Sequence, residues 1–474
     1  MMLVKIAFRN ILRNGRRSLM TACAIAVGAI AMILFGEYVA FIMLGLESGA
    51  IRSNGHMTVY HKGYFDFGSG NPSAYSIDDY ESVMRLIRND PVLKPMVNVV
   101  TPTVSLFGIA GNFSIDTSKT FLGVGFVPSD RWKMIHWDEY GILDVYHRLT
   151  GYRLQTLGVS DGDENHGIVG IGLARVLGLC GPLKIPNCPS PPKAKAEVIA
   201  GAPPAPSGVA ELAAGDLGPR AAPKDDGPPR IDLLGATAEG APNVVTFYVN
   251  KAFNQGYKEL DDAYVGMNIK LAQQLLYGRG KPKAIGIQVQ LHRTEDLAKA
   301  QARLNVLFAR HGLPLEIHDF KELTPQYVQI VGFMGAIFTF ISVIIGVIVL
   351  FTVINTMSMS VMERTNEIGT ARAMGVRRSG IRRQFLVEGW MLGAIGATAG
   401  LILAWFIATW FNSLGITYTP PGQANPVPLV VLTEGVGKLL AGVWLGLLFM
   451  ATIAALVPAN RAAKMPVVDA LRHV

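Results

Sequence analysis

The residues whose types and spacing could do chemical work lie between Glu363 and Gly375, in the run ERTNEIGTARAMG, which continues as VRRSGIRRQFLVEG to Gly389. Glu363 and Glu367 stand four apart, so a helix would put both on one face. Ala371, Ala373 and Met374 would form a small apolar ridge, and Gly375 would end the helix. A short helix presenting acidic, small and basic groups suits insertion into a groove on a partner protein. A solvated linker fits the same pattern, and spacing alone does not separate the two. Bond-making chemistry is not written into the chain: G-x-x-x-x-G-K-[ST], H-E-x-x-H and C-x-x-C are all missing. The two Gly-Lys pairs, at Gly280 and Gly437, are followed by Pro and Leu. We therefore expect no catalytic residue, no metal site and no ATP hydrolysis by this chain itself. His56, His61, His136, His147, His166 and His292 show no ligand spacing and read most simply as surface residues. Cys180 and Cys188, with Gly181, Pro182, Pro186 and Asn187 between them, predict a disulfide in an oxidising compartment rather than two free thiols. Cys23 reads as a small apolar filler.

The elements that must carry these residues are apolar. Of 474 residues 50% are hydrophobic and only 16% charged, below the roughly 25% charge of an ordinary soluble protein. Leu323 to Met362 is 40 residues without Asp, Glu, Lys or Arg, and Ser18 to Gly36 is 19. Gly389 to Thr433 and Leu439 to Asn460 each contain a further stretch near the roughly 20 apolar residues that cross a bilayer. The fold class that follows is a polytopic α-helical membrane protein with four transmembrane helices and a large α+β domain inserted between the first and second. The divisions expected are a basic amphipathic helix over 1–18, spans over 19–46, 326–362, 385–411 and 437–458, the insert over 47–325, loops over 363–384 and 412–436, and a tail over 459–474.

Within the insert, alternating residues predict strands at His56–Tyr60, Val97–Thr103, Thr120–Phe126, Val244–Asn250 and Ala284–Leu291. Helices are predicted at Ile77–Arg88 with Ser76 as N-cap, Gly167–Leu179, Asn268–Leu276 and Glu295–Arg310. Residues 181–242 hold 13 of the 27 prolines and read as a flexible excursion with no core of its own. The second span, Val328–Ser358, would be about 46 Å of helix against a hydrocarbon core of about 30 Å. A rigid rod joining the insert to the 363–384 loop and a tilted helix with frayed ends fit that length alike. Gly393, Gly396 and Gly400 give the third span a surface for close helix approach, within the chain or between two copies. Glu37 falls near the outer end of the first span, where an interfacial position accounts for it.

The formal charge of +8 does not point to nucleic acid, because its location explains it. Residues 1–18 carry +5, residues 360–384 carry +4 and residues 459–474 carry +2, leaving the remainder of the chain at −3. All of the excess flanks spans, which by the positive-inside rule puts both termini and the 363–384 loop in the cytoplasm and the insert outside.

The ERTNEIGTARAMG run after a long apolar stretch, the closing PANRAAKMPVVDALRHV from Pro458 and the opening FRNILRNGRRSLMT together resemble the signature of MacB/FtsX-type ABC transporter permeases. GHMTVYHKGY from Gly55 and LDDAYVGMNIKLAQQLL from Leu260 are similar in particular to lipoprotein-releasing permeases. The proline-rich stretch with its cysteine loop departs from that pattern. The resemblance implies two permease copies, or this chain with a paralogue, on a cytoplasmic dimer of ABC ATPases that holds the ATP and Mg; this chain carries no cofactor. It implies a bacterial inner-membrane location, contact with membrane lipids and a periplasmic or outer-membrane partner. It implies that ATPase closure is carried by the long second helix to a periplasmic domain that moves a lipid, lipoprotein or other amphiphile. Control of a periplasmic hydrolase, as by FtsX, and MacB-like efflux through an outer-membrane duct are the alternatives. Glu363, Arg364, Glu367, Gly369, Arg372, Ala373 and Gly375 match the ATPase-coupling segment.

Overall fold

The computed structural model describes residues 2–68, 70–72, 74–150, 154, 156–185, 188, 227–419 and 427–467. Four helices are long and apolar enough to cross a membrane. A short leading helix α1 (Met2–Arg13) turns at Asn14 into the first of them, α2 (Gly15–Asn54). The turn divides what the sequence suggested would be one amphipathic helix running into the span. Ile6, Phe8 and Leu12 are exposed on α1, as a helix lying on a lipid surface requires. Cys23 is exposed on α2, so it faces outward from the bundle and fills nothing. Glu37 is only 3% exposed and its Oε2 has no hydrogen-bond partner. The helical rise that put it near the span's outer end carries no information about which way it faces, and it faces the packed side.

The insert follows α2 as β1 (Met57–His61), α3 (Tyr80–Asn89), β2 (Val97–Asn112), β3 (Thr117–Phe126), α4 (Pro128–Ile135), α5 (Ile142–Thr150), β4 (His166–Gly170) and α6 (Ile171–Val176). It resumes with β5 (Arg230–Ala236), β6 (Pro242–Phe253), α7 (Lys258–Asp261), β7 (Tyr264–Asn268), α8 (Ile269–Tyr277), β8 (Gly286–Leu291), α9 (Leu297–Arg310), β9 (Leu315–Asp319) and α10 (Phe320–Leu323). The strand order is β3-β7-β4-β6-β5-β2-β8-β1-β9, and β2 also pairs with β3, so six strands close on themselves. The 16-residue β2 makes both halves possible. Its first half pairs with β8, and its second half pairs with β3 on one edge and β5 on the other. Leu106, Phe121, Leu233, Phe247 and Val265 fill the closed half together with Leu173 and Leu275. Met57, Val59, Ile87, Val289 and Leu304 form a second core beside α3 and α9.

Three readings of the insert are corrected by this arrangement. Gly167–Leu179 was expected to be one helix, but His166–Gly170 is a strand and the helix starts at Ile171. Small residues serve a strand here because Gly167 and Gly170 lie against the backbones of Gly266 and Asp261, where a Cβ would come within 2.2 and 2.0 Å of a carbonyl oxygen. The N-cap of α3 is Asp79, which accepts from the Ser82 N–H, and not Ser76, which bonds Tyr277. Within the proline-rich stretch, Arg230–Ala236 is an interior strand, its alternate Ile231 and Leu233 being 1% and 0% exposed. That seven-residue alternation is hidden by the composition of its neighbours. Residues 189–226 lie outside the described residues. Cys180 and Cys188 are joined as a disulfide with Cα atoms 5.7 Å apart.

The chain re-enters the helical layer as α11 (Pro325–Glu363), bends into α12 (Thr365–Ala373), and continues as α13 (Arg378–Ser413) and α14 (Gly437–Lys464). Two short strands, β10 (Thr417–Tyr418) and β11 (Val427–Pro428), pair between the last two helices. Helices α2 and α11 have 40 and 39 residues, about 60 Å each, roughly twice the hydrocarbon thickness. Glycines let the helices approach closely. A Cβ on Gly396 or Gly400 would fall 2.8 or 2.7 Å from the backbone oxygens of Ala22 or Ala26 on α2, and one on Gly393 2.8 Å from Ala451 Cβ on α14. This small-residue surface is therefore used within the chain.

Where α2 enters the sheet, Gly55 adopts a positive φ and His56 is fully buried, so the surface assignment of that histidine is overturned. The Leu291 N–H donates to His56 Nδ1 at 3.0 Å, which leaves Nε2 as the protonated nitrogen facing Thr294 Oγ1 at 3.2 Å. Burial lowers the His56 pKa to about 3, below its ordinary 6.5. The unfolded chain takes up this proton as pH falls through 6.5 and the native chain does not until about 3. The associated stability is thus complete above 6.5 and is lost progressively toward 3. Melting of the full chain in detergent should show uptake of about one proton on unfolding near pH 5, and His56→Gln should flatten that dependence; an unchanged slope would refute the assignment.

Candidate functional site

The junction between α11 and α12 is built around a buried ion pair. Arg364 caps the end of α11 and precedes α12, so its side chain turns inward, where Nη1 donates to both carboxylate oxygens of Glu388 on α13 at 2.9 and 3.2 Å. The two side chains are 5% and 4% exposed. Asn10 of α1 donates to the same carboxylate at 2.6 Å, so three helices meet on Glu388. Taking two charges out of water is costly, and the close contact of one guanidinium nitrogen with both carboxylate oxygens, with the Asn10 hydrogen bond added, offsets it.

Around this pair the coupling residues predicted from sequence separate into two groups. Glu363 ends α11 and Glu367 lies on α12, so they do not share one continuous helix. Both nevertheless face the leading segment: Glu363 pairs with Arg17, and Glu367 with Arg13 at 2.7 Å. These pairs are half exposed and hold geometry more than they add stability. Arg372 donates from Nη1 to the Ala463 carbonyl of α14 at 2.8 Å, and Gly369 is buried beside Ile368, which joins the helical core. Ala373 and Gly375 are exposed, with Gly375 at a φ of +97° ending α12. Next to them Met374 and Val376 are 76% and 41% exposed, and Arg377, Arg378, Arg382 and Arg383 are exposed along the following turn. The inward residues thus brace the junction, and an apolar knob edged by four arginines is what remains for another molecule.

At the opposite end of the long helices a second polar joint ties them to the sheet. Glu47 of α2 accepts from Tyr140 at 2.8 Å and from Tyr327 of α11 at 3.0 Å. Tyr140 lies 2.9 Å from Thr294 Oγ1, whose hydroxyl donates to Glu139 at 3.0 Å. Burial pushes the Tyr140 hydroxyl well above the ordinary phenol range, so it remains a donor. Arg52 pairs with Asp138 at 2.9 Å and donates to the Trp137 carbonyl at 2.7 Å. Sequence reasoning missed Glu388 and Glu47, using the first only as the edge of an uncharged run and the second only as the start of the insert. A lone acid at the end of such a run was the available signal. Among the described residues no cluster of three or more His, Cys, Asp or Glu could hold a metal ion.

With this geometry in place, the comparison with known proteins is specific. The family described as FtsX-like permease C-terminal matches residues 337–467, which contain most of α11 and all of α12, α13 and α14. The chain carries a permease domain of the MacB/FtsX type. It is 32% identical over 228 residues to the macrolide export ATP-binding/permease protein MacB of Shewanella sp. (strain W3-18-1), covering 46% of this chain and 33% of that protein. It is 35% identical over 143 residues to MacB of Escherichia coli, covering 28% and 21%, and 32% identical over 200 residues to MacB of Agrobacterium fabrum, covering 40% and 28%. The chain therefore spans about a third or less of these relatives. The Arg364–Glu388 pair and the exposed knob lie inside the matched permease region.

Breaking a buried pair leaves an uncompensated charge, a loss of about 3–5 kcal/mol, whereas replacing both partners with apolar groups is often near neutral. Arg364→Met alone should therefore lower the melting temperature of the detergent-solubilised chain far more than Arg364→Met combined with Glu388→Met. Equal losses in the two variants would show that the charges act independently.

Proposed function

We propose that this permease domain is the membrane subunit of an ATP-driven ABC exporter that works by mechanotransmission from a bacterial inner membrane. Two copies, or this chain and a paralogue, sit on a dimer of ABC ATPase subunits that bind ATP and Mg. The termini and α12 face the cytoplasm, and the nine-stranded domain faces the periplasm. The subunit moves or extracts a lipid, lipoprotein or other amphiphile on the outer side. The observation that carries this reading is the exposed Ala373–Met374–Val376 knob, braced from behind by residues that hold α1, α11, α13 and α14 together. A partner that displaces the knob acts on the foot of α11, whose other end is bonded through Tyr327 to Glu47 and so to the outer domain.

Two further observations support work outside the bilayer over passage through it. Backbone-close packing at Gly396 and Gly400 closes the seam between α2 and α13, and Gly389 and Gly393 close that between α13 and α14. Both long helices also exceed the bilayer's thickness and enter the outer domain without a flexible linker. Gly55 leads directly from α2 to β1, and Thr324 alone separates α10 from α11.

Ala373→Asp places a charge on the exposed ridge without touching the internal pairs. Desolvating that unpaired carboxylate in a partner groove costs a few kcal/mol, so capture of the partner ATPase by the tagged chain should fall by about a hundredfold, with melting unchanged. Undiminished ATPase capture by the variant would remove the knob from the coupling surface.

A further inference from the structure

A cavity of about 160 Å³ opens where α5 of the sheet domain meets the connection between α13 and α14. Val145 and Arg148 line it from α5, Asn412 from the end of α13, and residues 430–434 from the connection. Its size is close to the roughly 150 Å³ that admits a benzene-sized molecule, so it has room for a ligand's polar group and not only for water. The chain's own contacts fix its shape. Asn412 Nδ2 donates to the Val431 carbonyl at 2.8 Å while its Oδ1 accepts the Val431 N–H at 3.0 Å, so one amide clamps the connection to α13 from both sides. Val430 and Leu432 are buried with Phe41 of α2 and Ile142 of α5, and Val145 packs against them. The apolar part of the lining is therefore set before any ligand arrives.

The two charges on this lining have opposite signs, and neither is used by the fold. Among the described residues Arg148 and Glu434 make no ion pair or hydrogen bond, with each other or with any other group, although Asp144 stands one turn before Arg148 on α5. A guanidinium and a carboxylate that share a cavity without reaching each other match a ligand that carries an anion and a cation a few bonds apart.

The depth of the cavity selects among such ligands. Trp405 and Trp410 are exposed on α13, and Trp410 precedes Asn412 by two residues. Exposed tryptophans near the end of a span mark the level of the lipid headgroups. Tyr38 of α2 and Tyr418, whose hydroxyls meet at 3.2 Å, lie at the same end. A zwitterion at that level is a phospholipid headgroup. The planar guanidinium of Arg148 matches phosphate oxygens, and a primary ammonium would bring three N–H donors to the Glu434 carboxylate. A choline headgroup has no N–H to give, and a glycerol headgroup has no cation.

We propose that this cavity binds the headgroup of a phosphatidylethanolamine-type phospholipid of the leaflet nearest the sheet, with Arg148 taking the phosphate and Glu434 the primary ammonium. Bound there, the lipid ties α5, and with it the sheet domain, to the bilayer surface. The proposal requires only that the four long helices cross a bilayer, so it stands or falls apart from the exporter reading.

The full chain, purified in a neutral detergent, would be titrated with dihexanoyl phosphatidylethanolamine, phosphatidylcholine and phosphatidylglycerol and with soluble phosphoethanolamine, following its melting temperature. Phosphatidylethanolamine should stabilise it saturably, at a midpoint about tenfold below those of the other two lipids. Arg148→Gln and Glu434→Gln remove charges that hold nothing in the fold, so melting without lipid should stay unchanged while the phosphatidylethanolamine midpoint rises about tenfold in each. Glu434→Gln should also erase the preference for ethanolamine over choline. A midpoint for phosphatidylcholine or phosphatidylglycerol equal to that for phosphatidylethanolamine, or undiminished phosphatidylethanolamine binding in either variant, would overturn the proposal. Stabilisation by phosphoethanolamine at the same midpoint would overturn the lipid assignment and leave a soluble zwitterion as the ligand.

Discussion

The end of the helical layer far from the sheet depends on one guanidinium–carboxylate contact buried at the point where a helix of 39 residues stops and turns. A helix end leaves carbonyls unsatisfied and a free direction of exit, and neither would be defined at the foot of α11 without an anchor. Arg364 provides one by reaching across to α13, and Asn10 brings α1 to the same carboxylate. Because the pair is dry, its geometry is strict. Small shifts of α11 against α13 would therefore cost the contact, which holds the junction in one arrangement.

The joint beside the sheet has a different physical nature. Glu47, Tyr140, Tyr327 and Thr294 form a chain of neutral and charge-assisted hydrogen bonds that joins both long helices to the loop beneath the sheet. Tyrosines suit this place because the ring packs in the apolar contact with Trp137 and Phe320 while the hydroxyl reaches the acid. A sheet attached through β1 and β9, the first two residues and the second a short helix away from a long apolar helix, has little slack with which to absorb motion. Its register is set by antiparallel pairing of β1 with both β8 and β9.

What could be read from sequence followed the strength of the periodic signal. The spans were visible because bilayer thickness imposes a length, and their ends were not, because both α2 and α11 run on past the hydrocarbon as ordinary helix. Strand β2 was cut short at Thr103, since its later alternation, Leu106, Gly108 and Ala110 against Phe107 and Ile109, has weak small-residue positions on the inner face and large residues outside. Strand β5 vanished into a proline-rich background. The run from Glu363 to Gly375 was legible as a motif, but the direction of its side chains was not. Arg364 and Arg372 have the same composition as the exposed arginines that follow, and only the position of Glu388 and of the α14 carbonyls distinguishes them.

Those directions change what the coupling segment can mean. If its acids and first arginine had faced outward, a partner would hold α12 by charge, and salt would govern the contact. Instead Glu363, Arg364 and Glu367 are engaged by the chain's own first, second and thirteenth helices, and the outward surface is apolar at its centre and basic at its rim. On the proposed reading, a partner would gain affinity by burying Met374 and its neighbours, while the arginines would set orientation and encounter rate. The first helix becomes part of the same assembly, because Arg13 holds Glu367 of α12 while Arg17, at the start of α2, holds Glu363 at the end of α11. A basic leading segment that would otherwise serve only to orient the chain in the membrane is in this fold a bracing strut against which the foot of α11 works.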